Sequence, residues 1–478
     1  MTPDTIVAIS TPPGRGGIGI VRLSGPQSKS IAEPILKLRQ PLAHATARFA
    51  EILDDSQAKL DEAVVTYFAA PNSYTAEDVI EIAAHGSPVV LEFLVRHALD
   101  HGARLARPGE FTERAFLSGR IDLTQAEAVR DLIEANTIVQ ARLAAEQMGG
   151  ALSRRIAPVK EQLLALITTL EAGIDFAEDD IDILPSPQIK ARIETIQQAL
   201  APIAASYASG RLIRDGLTLA IVGPPNAGKS SLFNRLVERD RAIVTPIAGT
   251  TRDLVTERIS LAGIPVELID TAGLRETTDQ AEQIGIAKTR EAIATADVIL
   301  AILDATKLHV AETVSFRETP QTPLSSRPER PGSADDASWQ TLLADPRTIL
   351  VANKIDLLTT AALPSSNGVP VSNSINLARV SALTGQGIPE LREQILQAVN
   401  AGSPGTESGM LTTLRHHEAI TQSQSALAAA QQAIAQQIPH EMLLLDLHTA
   451  LESLDTLTGA TTPDDILNRI FSTFCIGK

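Results

Sequence analysis

The chain has 478 residues, 44% of them hydrophobic, enough to bury several cores, so two to four domains are expected. Its 41 basic and 57 acidic residues leave a net charge of −16, which argues against a protein that coats nucleic acid by bulk charge. The single cysteine, Cys475, excludes an intramolecular disulfide framework, cannot build a zinc site alone, and fits a reducing compartment.

The N-terminal run MTPDTIVAIS has neither a basic n-region nor a long apolar h-region, and no uninterrupted apolar run approaches about 18 residues. A soluble cytoplasmic protein with no membrane partner is expected. Residues 1–118 mix β-like runs (TIVAIS, GIGIVRLS, EAVVTYFAA, VIEIAAH) with one helical stretch, PVVLEFLVRHALDHG, which predicts an α+β domain. Helical periodicity takes over across 119–212, through QAEAVRDLIEANTIVQARLAAEQMGG and the segment around LLALITTLEAGIDF. The acidic AEDDID at 177–182 reads as a solvated helix end. Residues 213–400 alternate apolar strands (LTLAIVG, VELIDTAG, DVILAILD, TILVANK) with helices, the signature of a doubly wound parallel sheet. Inside that span, 312–338 carries Pro320, Pro323, Pro328 and Pro331 among serines and reads as a disordered surface insertion. Helical periodicity returns over 401–478, where His416 and His417 read as helix-surface residues with no metal-spaced partner. The simplest organisation is one helical domain, 119–212 with 401–478, interrupted by an inserted α/β module whose ends lie close together.

Four runs inside the α/β module occur in the order a guanine-nucleotide switch requires: GPPNAGKS at 223–230, GTTRD at 249–253, DTAG at 270–273 and NKID at 353–356. The first follows an apolar strand and precedes the helical SLFNRLVE, so its backbone N–H groups can close on phosphates. Lys229 neutralises the β/γ oxygens, and the Ser230 hydroxyl reaches Mg²⁺. Asp356 can accept from guanine N1 and N2, which adenine cannot match, so ATP is rejected by about 10⁴-fold or more. The candidate nucleotide residues are Asn226, Ala227, Gly228, Lys229, Ser230 and Ser231 in the first run and Thr245, Pro246, Ile247, Ala248, Gly249, Thr250 and Thr251 around the second. Asp270, Thr271, Ala272 and Gly273 follow, then Asn353, Lys354 and Asp356, then Ser381 and Ala382. Where Ras-like switches carry a water-orienting glutamine after DTAG, this chain has Leu274, and Arg252 is no obvious arginine finger. A finger is worth roughly 10³–10⁵ in rate, so something else must supply about 4–7 kcal/mol of transition-state stabilisation, and a bound cation is a candidate.

Outside those runs stand TPPGRGGIGIVRLSGP (11–26), NSYTAEDVIEIAAHG (72–86), ARPGEFTERAFLSGRIDLTQAEAVRDLI (106–133) and IFSTFCIGK (470–478). With them the chain resembles the MnmE (TrmE) family of tRNA-modifying GTPases, within the TrmE-Era-EngA-like group, over nearly its whole length. The resemblance implies a multidomain fold: a folate-binding-like α+β N-terminal domain, an α-helical bundle domain and an inserted α/β P-loop GTPase domain. It implies a homodimer that works on tRNA with the flavin partner MnmG (GidA) in a heterotetramer. The wobble uridine would gain a 5-aminomethyl or 5-carboxymethylaminomethyl group, using 5-formyl- or 5,10-methylene-tetrahydrofolate.

Matched position by position, the family's folate contacts fall on Arg22, Glu81, Arg120 and Lys478. Its Mg²⁺ ligands fall on Ser230 and Thr251. Its K⁺ ligands fall on Asn226 and the main-chain oxygens of Thr245, Ile247 and Thr250; Pro246 in that loop lacks an N–H but leaves its neighbours' carbonyls free. Glu282 takes the water-orienting role through a second water, although Glu276 and Glu291 lie near it in sequence. Two readings stay open for Cys475: a buried apolar residue of a C-terminal helix, or a functional thiol near the modification centre. Asn226 reads equally as a turn residue, and without the resemblance Arg22, Glu81 and Arg120 are ordinary surface or salt-bridge residues. The rival function is a ribosome-assembly or translation GTPase that binds rRNA. A folate enzyme with a vestigial nucleotide module is discouraged by the intact set Lys229, Ser230, Thr251, Asp270 and Asp356.

Overall fold

A computed structural model describes residues 4–175, 185–240, 255–270, 291–308, 341–358, 377–399, 408–461 and 464–477. The acidic run 177–182 and the proline-bearing stretch 312–338 lie outside the described residues. The chain divides into two compact units, one of 1–133, 144–200 and 418–478, the other of 134–143 and 201–417. No helix among the described residues is long and apolar enough to cross a membrane.

The first unit opens with β1 (Thr5–Ile9), β2 (Gly16–Ser24), β3 (Leu36–Leu38), β4 (Thr46–Leu53), β5 (Lys59–Phe68), β6 (Val79–Gly86) and β7 (Ala103–Leu105). They form one seven-stranded sheet in the order β3-β4-β5-β6-β2-β1-β7. Only β1 and β7 run parallel. Strand side chains alternate between faces. Val21 and Leu23 of β2, Ala50 and Ile52 of β4, Ala63 and Val65 of β5, and Ile80 and Ile82 of β6 share one core with Leu91, Leu94 and Ala98 of the Pro88–Asp100 helix. Arg22 and Glu81, directly opposite each other in the β2–β6 register, therefore point to the other face.

A carboxylate cluster fastens the 72–78 loop to this sheet. Glu110, 2% exposed, accepts hydrogen bonds from the Arg104 guanidinium, from the Arg107 N–H at 2.8 Å and from Arg114 Nη2 at 3.1 Å. Arg114 also pairs with Glu77 at 2.9 Å and Asp4 at 2.7 Å, and Ser24 Oγ donates to Glu77 at 2.7 Å. Burial pushes the Glu110 carboxyl up, but the bonds from Arg104, Arg107 and Arg114 outweigh it and leave the pKa at about 2. Because the folded pKa lies below the ordinary 4.5, the stabilisation is complete above that value and disappears as pH falls through about 2. On the order of 3 kcal/mol is at stake. Urea unfolding of this unit's sheet between pH 5 and 2 is expected to show that loss in the native chain and a much flatter profile in Glu110→Gln; parallel profiles would refute it.

The helices of this unit follow the period read from the sequence. Leu152, Ile156, Leu163, Leu166 and Leu170 line one side of Ala151–Asp175 and are buried, as are Leu443, Leu447, Leu454 and Leu457 of His440–Thr458. The two helices lie side by side, joined by Lys160 and Asp455 at 2.5 Å.

In the second unit β8 (Leu217–Val222), β9 (Val255–Leu261), β10 (Ile264–Asp270), β11 (Val298–Asp304), β12 (Thr348–Asn353) and β13 (Leu377–Arg379) form a sheet in the order β13-β12-β11-β8-β10-β9. All pairs are parallel except β9 with β10, so the doubly wound sheet carries one antiparallel edge strand that the sequence reading did not contain. One face packs Leu219, Ile221, Leu300 and Ile302 on Leu232 and Leu236 of the Lys229–Asp240 helix; the other packs Ala220, Val222, Ile299 and Ala301 on Ala292 and Ala296. Burial on both faces is why these strands read as unbroken apolar runs.

One sequence expectation fails here. His416, expected on a helix surface, is fully buried in the first turn of Leu414–Ala435, its N–H bonded to Thr413 Oγ1 at 3.2 Å. Within that turn Leu414 is 58% exposed while His416 is buried, so the helix is turned with the His416 side inward. His417 stacks on Tyr207 with ring centroids 4.3 Å apart.

Candidate functional site

The phosphate loop leaves β8, which lies between β10 and β11. The strand order reverses about that position, where doubly wound sheets bind their ligands. Asn226 adopts the left-handed conformation (φ 63°), which asparagine tolerates, and is exposed. Gly228 has φ 92°, and a Cβ there would stand 2.2 Å from Asn353 Nδ2, so no larger residue fits. Lys229 Nζ donates to the loop carbonyls of Gly223 at 2.8 Å and Pro224 at 3.0 Å. Ser230 is exposed in the first turn of the Lys229–Asp240 helix, whose N-terminal N–H groups suit an anion.

The NKID run begins where β12 ends. Asn353, 2% exposed, donates through Nδ2 to Ala227 O at 3.0 Å and accepts the Ala382 N–H on Oδ1 at 3.0 Å. Ser381 Oγ donates to Asp356 Oδ1 at 2.5 Å. Lys354, also left-handed (φ 68°), reaches Asp304 Oδ2 at 2.7 Å. Burial raises the Asp304 carboxyl, but Lys354 and the Thr306 hydroxyl and N–H more than reverse it. The structure thus gathers Asn226, Ala227, Gly228, Lys229, Ser230, Asn353, Lys354, Asp356, Ser381 and Ala382 around one loop system. Ser231 follows Ser230 in the helix. Two partners had no motif to announce them: Asp304, an acid at the C-terminal end of β11, and Arg235, which bonds the 382–383 carbonyls. The Asp270 backbone pairs with Ile221, but its side chain lies outside the described residues. So do Thr245, Pro246, Ile247, Ala248, Gly249, Thr250, Thr251, Arg252, Thr271, Ala272, Gly273, Leu274 and Glu282.

A second cluster forms in the first unit, where the end of the chain returns to the sheet. Arg22 Nε and Nη2 both reach Glu81 Oε1, at 2.8 and 2.7 Å, and its Nη1 donates to Gly477 O at 3.3 Å. Ser10 Oγ donates to the same carbonyl at 3.1 Å. Gly477 has φ 94°, and a Cβ there would lie 2.4 Å from Ile9 O, which explains a glycine in the terminal run. Arg22 also lies over the Phe111 ring, 5.5 Å from its centroid. Cys475 follows the Asp464–Phe471 helix and is exposed, so it is not the buried helical residue that one sequence reading allowed. Its carbonyl accepts the Gly109 N–H at 3.4 Å.

Tyr74 lies within electrostatic reach of both Arg22 and Arg120. Its hydroxyl shares a 3.0 Å hydrogen bond with Thr112 Oγ1; burial raises the phenol's pKa while the charges of Arg22 and Arg120 both pull it down. Arg120 itself is exposed and lines an open cavity of about 890 Å³ with Phe116, Leu117, Asp122, Gln125 and Thr458. Lys478 lies outside the described residues.

Comparison with known proteins covers the stretches of chain that carry both clusters. The family model "GTP-binding protein TrmE N-terminus" matches residues 5–120, and "MnmE helical domain" matches 123–475. The chain is 55% identical to the tRNA modification GTPase MnmE of Koribacter versatilis (strain Ellin345), over 99% of both chains. It is 43% identical to the MnmE of Pseudomonas aeruginosa (strain UCBPP-PA14), again over 99% of both. With the MnmE of Aquifex aeolicus (strain VF5) it shares 39% identity, over 99% of this chain and 100% of that one. The chain belongs to the MnmE family of tRNA-modification GTPases.

Membership of the MnmE family over the full length displaces the ribosome-assembly alternative. Within an MnmE-family chain the described donors suit the implied ligands. A primary hydroxyl at 230 suits Mg²⁺, and the amide oxygen of an exposed Asn226 suits a hard monovalent cation. Glu81 gives Oε1 to Arg22, and among the described residues Oε2 has no hydrogen bond, which leaves an acceptor for paired N–H donors.

Proposed function

We propose that this MnmE-family chain is a cytoplasmic, potassium-stimulated GTPase that acts as a homodimer and in a heterotetramer with a flavoprotein of the MnmG (GidA) kind. Together they convert the tRNA wobble uridine to its 5-aminomethyl or 5-carboxymethylaminomethyl form with a folate one-carbon unit. The observation that carries this reading is the return of the C-terminal run to the Arg22–Glu81 pair, with exposed Cys475 two residues before the Gly477 carbonyl that Arg22 holds. Arg22 and Arg120 supply charge for a ligand's carboxylates, Glu81 accepts pterin N–H donors, and Lys478 joins them from the chain end.

In the nucleotide unit Lys229 turns from the loop carbonyls to the β/γ oxygens, Asp356 accepts from guanine N1 and N2, and Glu282 orients the attacking water through a second one. Mg²⁺ at Ser230 and Thr251, and K⁺ at Asn226, Thr245, Ile247 and Thr250, supply positive charge against the phosphate oxygens when bound. Hydrolysis is expected to run faster in potassium than in sodium at equal ionic strength. Asn226→Ala is expected to lose that difference while nucleotide affinity stays within about tenfold, because Lys229 and the loop N–H groups still hold the phosphates. Equal rates in the two salts for the native chain would sink the cation reading.

A further inference from the structure

Arg235 sits in the helix that follows the phosphate loop, where sequence alone shows only a cation on a polar helix face. Its side chain is 26% exposed and crosses to the 381–383 turn. Nε donates to Ala382 O at 2.8 Å and Nη2 donates to Leu383 O. The third nitrogen stands 3.6 Å from Glu238, a carboxylate 68% exposed and therefore of small consequence. A planar guanidinium holds two successive carbonyls with two different nitrogens in a fixed fork, a geometry that the single nitrogen of an ammonium does not offer.

The held turn is the one that aims the base-reading groups. The Ala382 N–H is taken by Asn353 Oδ1, so both polar groups of this residue are fixed by side chains from different elements. Ser381 closes the turn through Ser381 N to Gln386 O at 2.9 Å and Gly385 N to Ser381 O at 2.8 Å, and its hydroxyl bonds Asp356. Leu383 is 76% exposed, so side-chain packing does not hold that end of the turn and the hydrogen bonds must.

We propose that Arg235 is a positioning residue for guanine recognition: it clamps the Ala382 and Leu383 carbonyls and thereby, through Ser381, holds the Asp356 carboxylate in register with the base. The proposal rests on Asp356 as the guanine acceptor. The test compares GDP with IDP, which lacks the 2-amino donor, on the full-length chain by calorimetric titration and by displacement of a fluorescent GDP. Arg235→Ala is expected to weaken GDP by about tenfold through faster dissociation, with less effect on IDP, so the GDP-over-IDP preference falls. Arg235→Lys, which keeps the charge but loses the two-nitrogen fork, is expected to give an intermediate preference and carries the test if the alanine variant does not fold. A merely structural role would lower thermal stability and leave the preference at its native value; that result overturns the proposal. A native chain that does not distinguish GDP from IDP would overturn the guanine reading itself.

Discussion

Asp356→Asn is expected to lower GTP affinity by roughly 10³–10⁴ and to make xanthine nucleotides the preferred ligands. The carboxylate is an acceptor only, and Ser381 Oγ already donates to Oδ1 at 2.5 Å, so the group is held in one orientation before any base arrives. Guanine offers two donors to that carboxylate. An amide in the same place meets the guanine 2-amino group donor to donor, whereas xanthine presents a C2 carbonyl there that the amide can satisfy. The surrounding frame does not depend on the charge: Asn353 bridges Ala227 and Ala382, and Lys354 is paired with Asp304 rather than Asp356. Titration of the variant with GDP and XDP measures the exchange directly. An unchanged preference would mean that the base is read by other groups.

The second large effect is expected from Cys475→Ser, which should retain GTP hydrolysis while reducing wobble-uridine modification by on the order of tenfold or more. Packing cannot account for such a loss. The terminal run is anchored by Phe471 and Phe474 against Leu123 and Ala126, and by Gly477 under Ile9, whereas the Cys475 side chain is exposed. Serine is nearly isosteric, and a substitution at an exposed position of this kind changes stability by only about 0.5 kcal/mol. A large loss therefore requires thiol chemistry or a polarity the adjoining site does not accept. The measurement is mass spectrometry of wobble nucleosides from cells that lack the native protein, complemented with either form. Cells with neither form should lack the modified uridine, which tests the proposed function. Modification at the native level with the serine form would reduce Cys475 to a bystander of the terminal run.

Much of the nucleotide unit was legible because its information is local. Strands β8, β10, β11 and β12 are buried on both faces and so announce themselves as apolar runs, and the phosphate cradle needs glycines and a lysine at fixed spacing within one turn. The long helices were legible for the same reason, since a buried stripe every three or four residues is written into neighbouring positions. Elements of three residues, β3, β7 and β13, were not, because alternation cannot be recognised over so short a run. The antiparallel edge strand β9 escaped because edge pairing is set by the partner strand, not by an intrinsic pattern.

The sites divide along the same line. Motif and family resemblance named Lys229, Asp356, Arg22 and Glu81 from the chain, but which groups meet was decided by register and chain reversal. Arg22 faces Glu81 because β2 and β6 pair in one particular register, and it reaches Gly477 because the last helix returns the chain end to the sheet. Arg235, Asp304 and the buried His416 carry no sequence signature at all. A side chain's chemistry is a property of its own residue, whereas its partners, its burial and hence its role depend on residues far along the chain, and only the folded backbone brings those within reach.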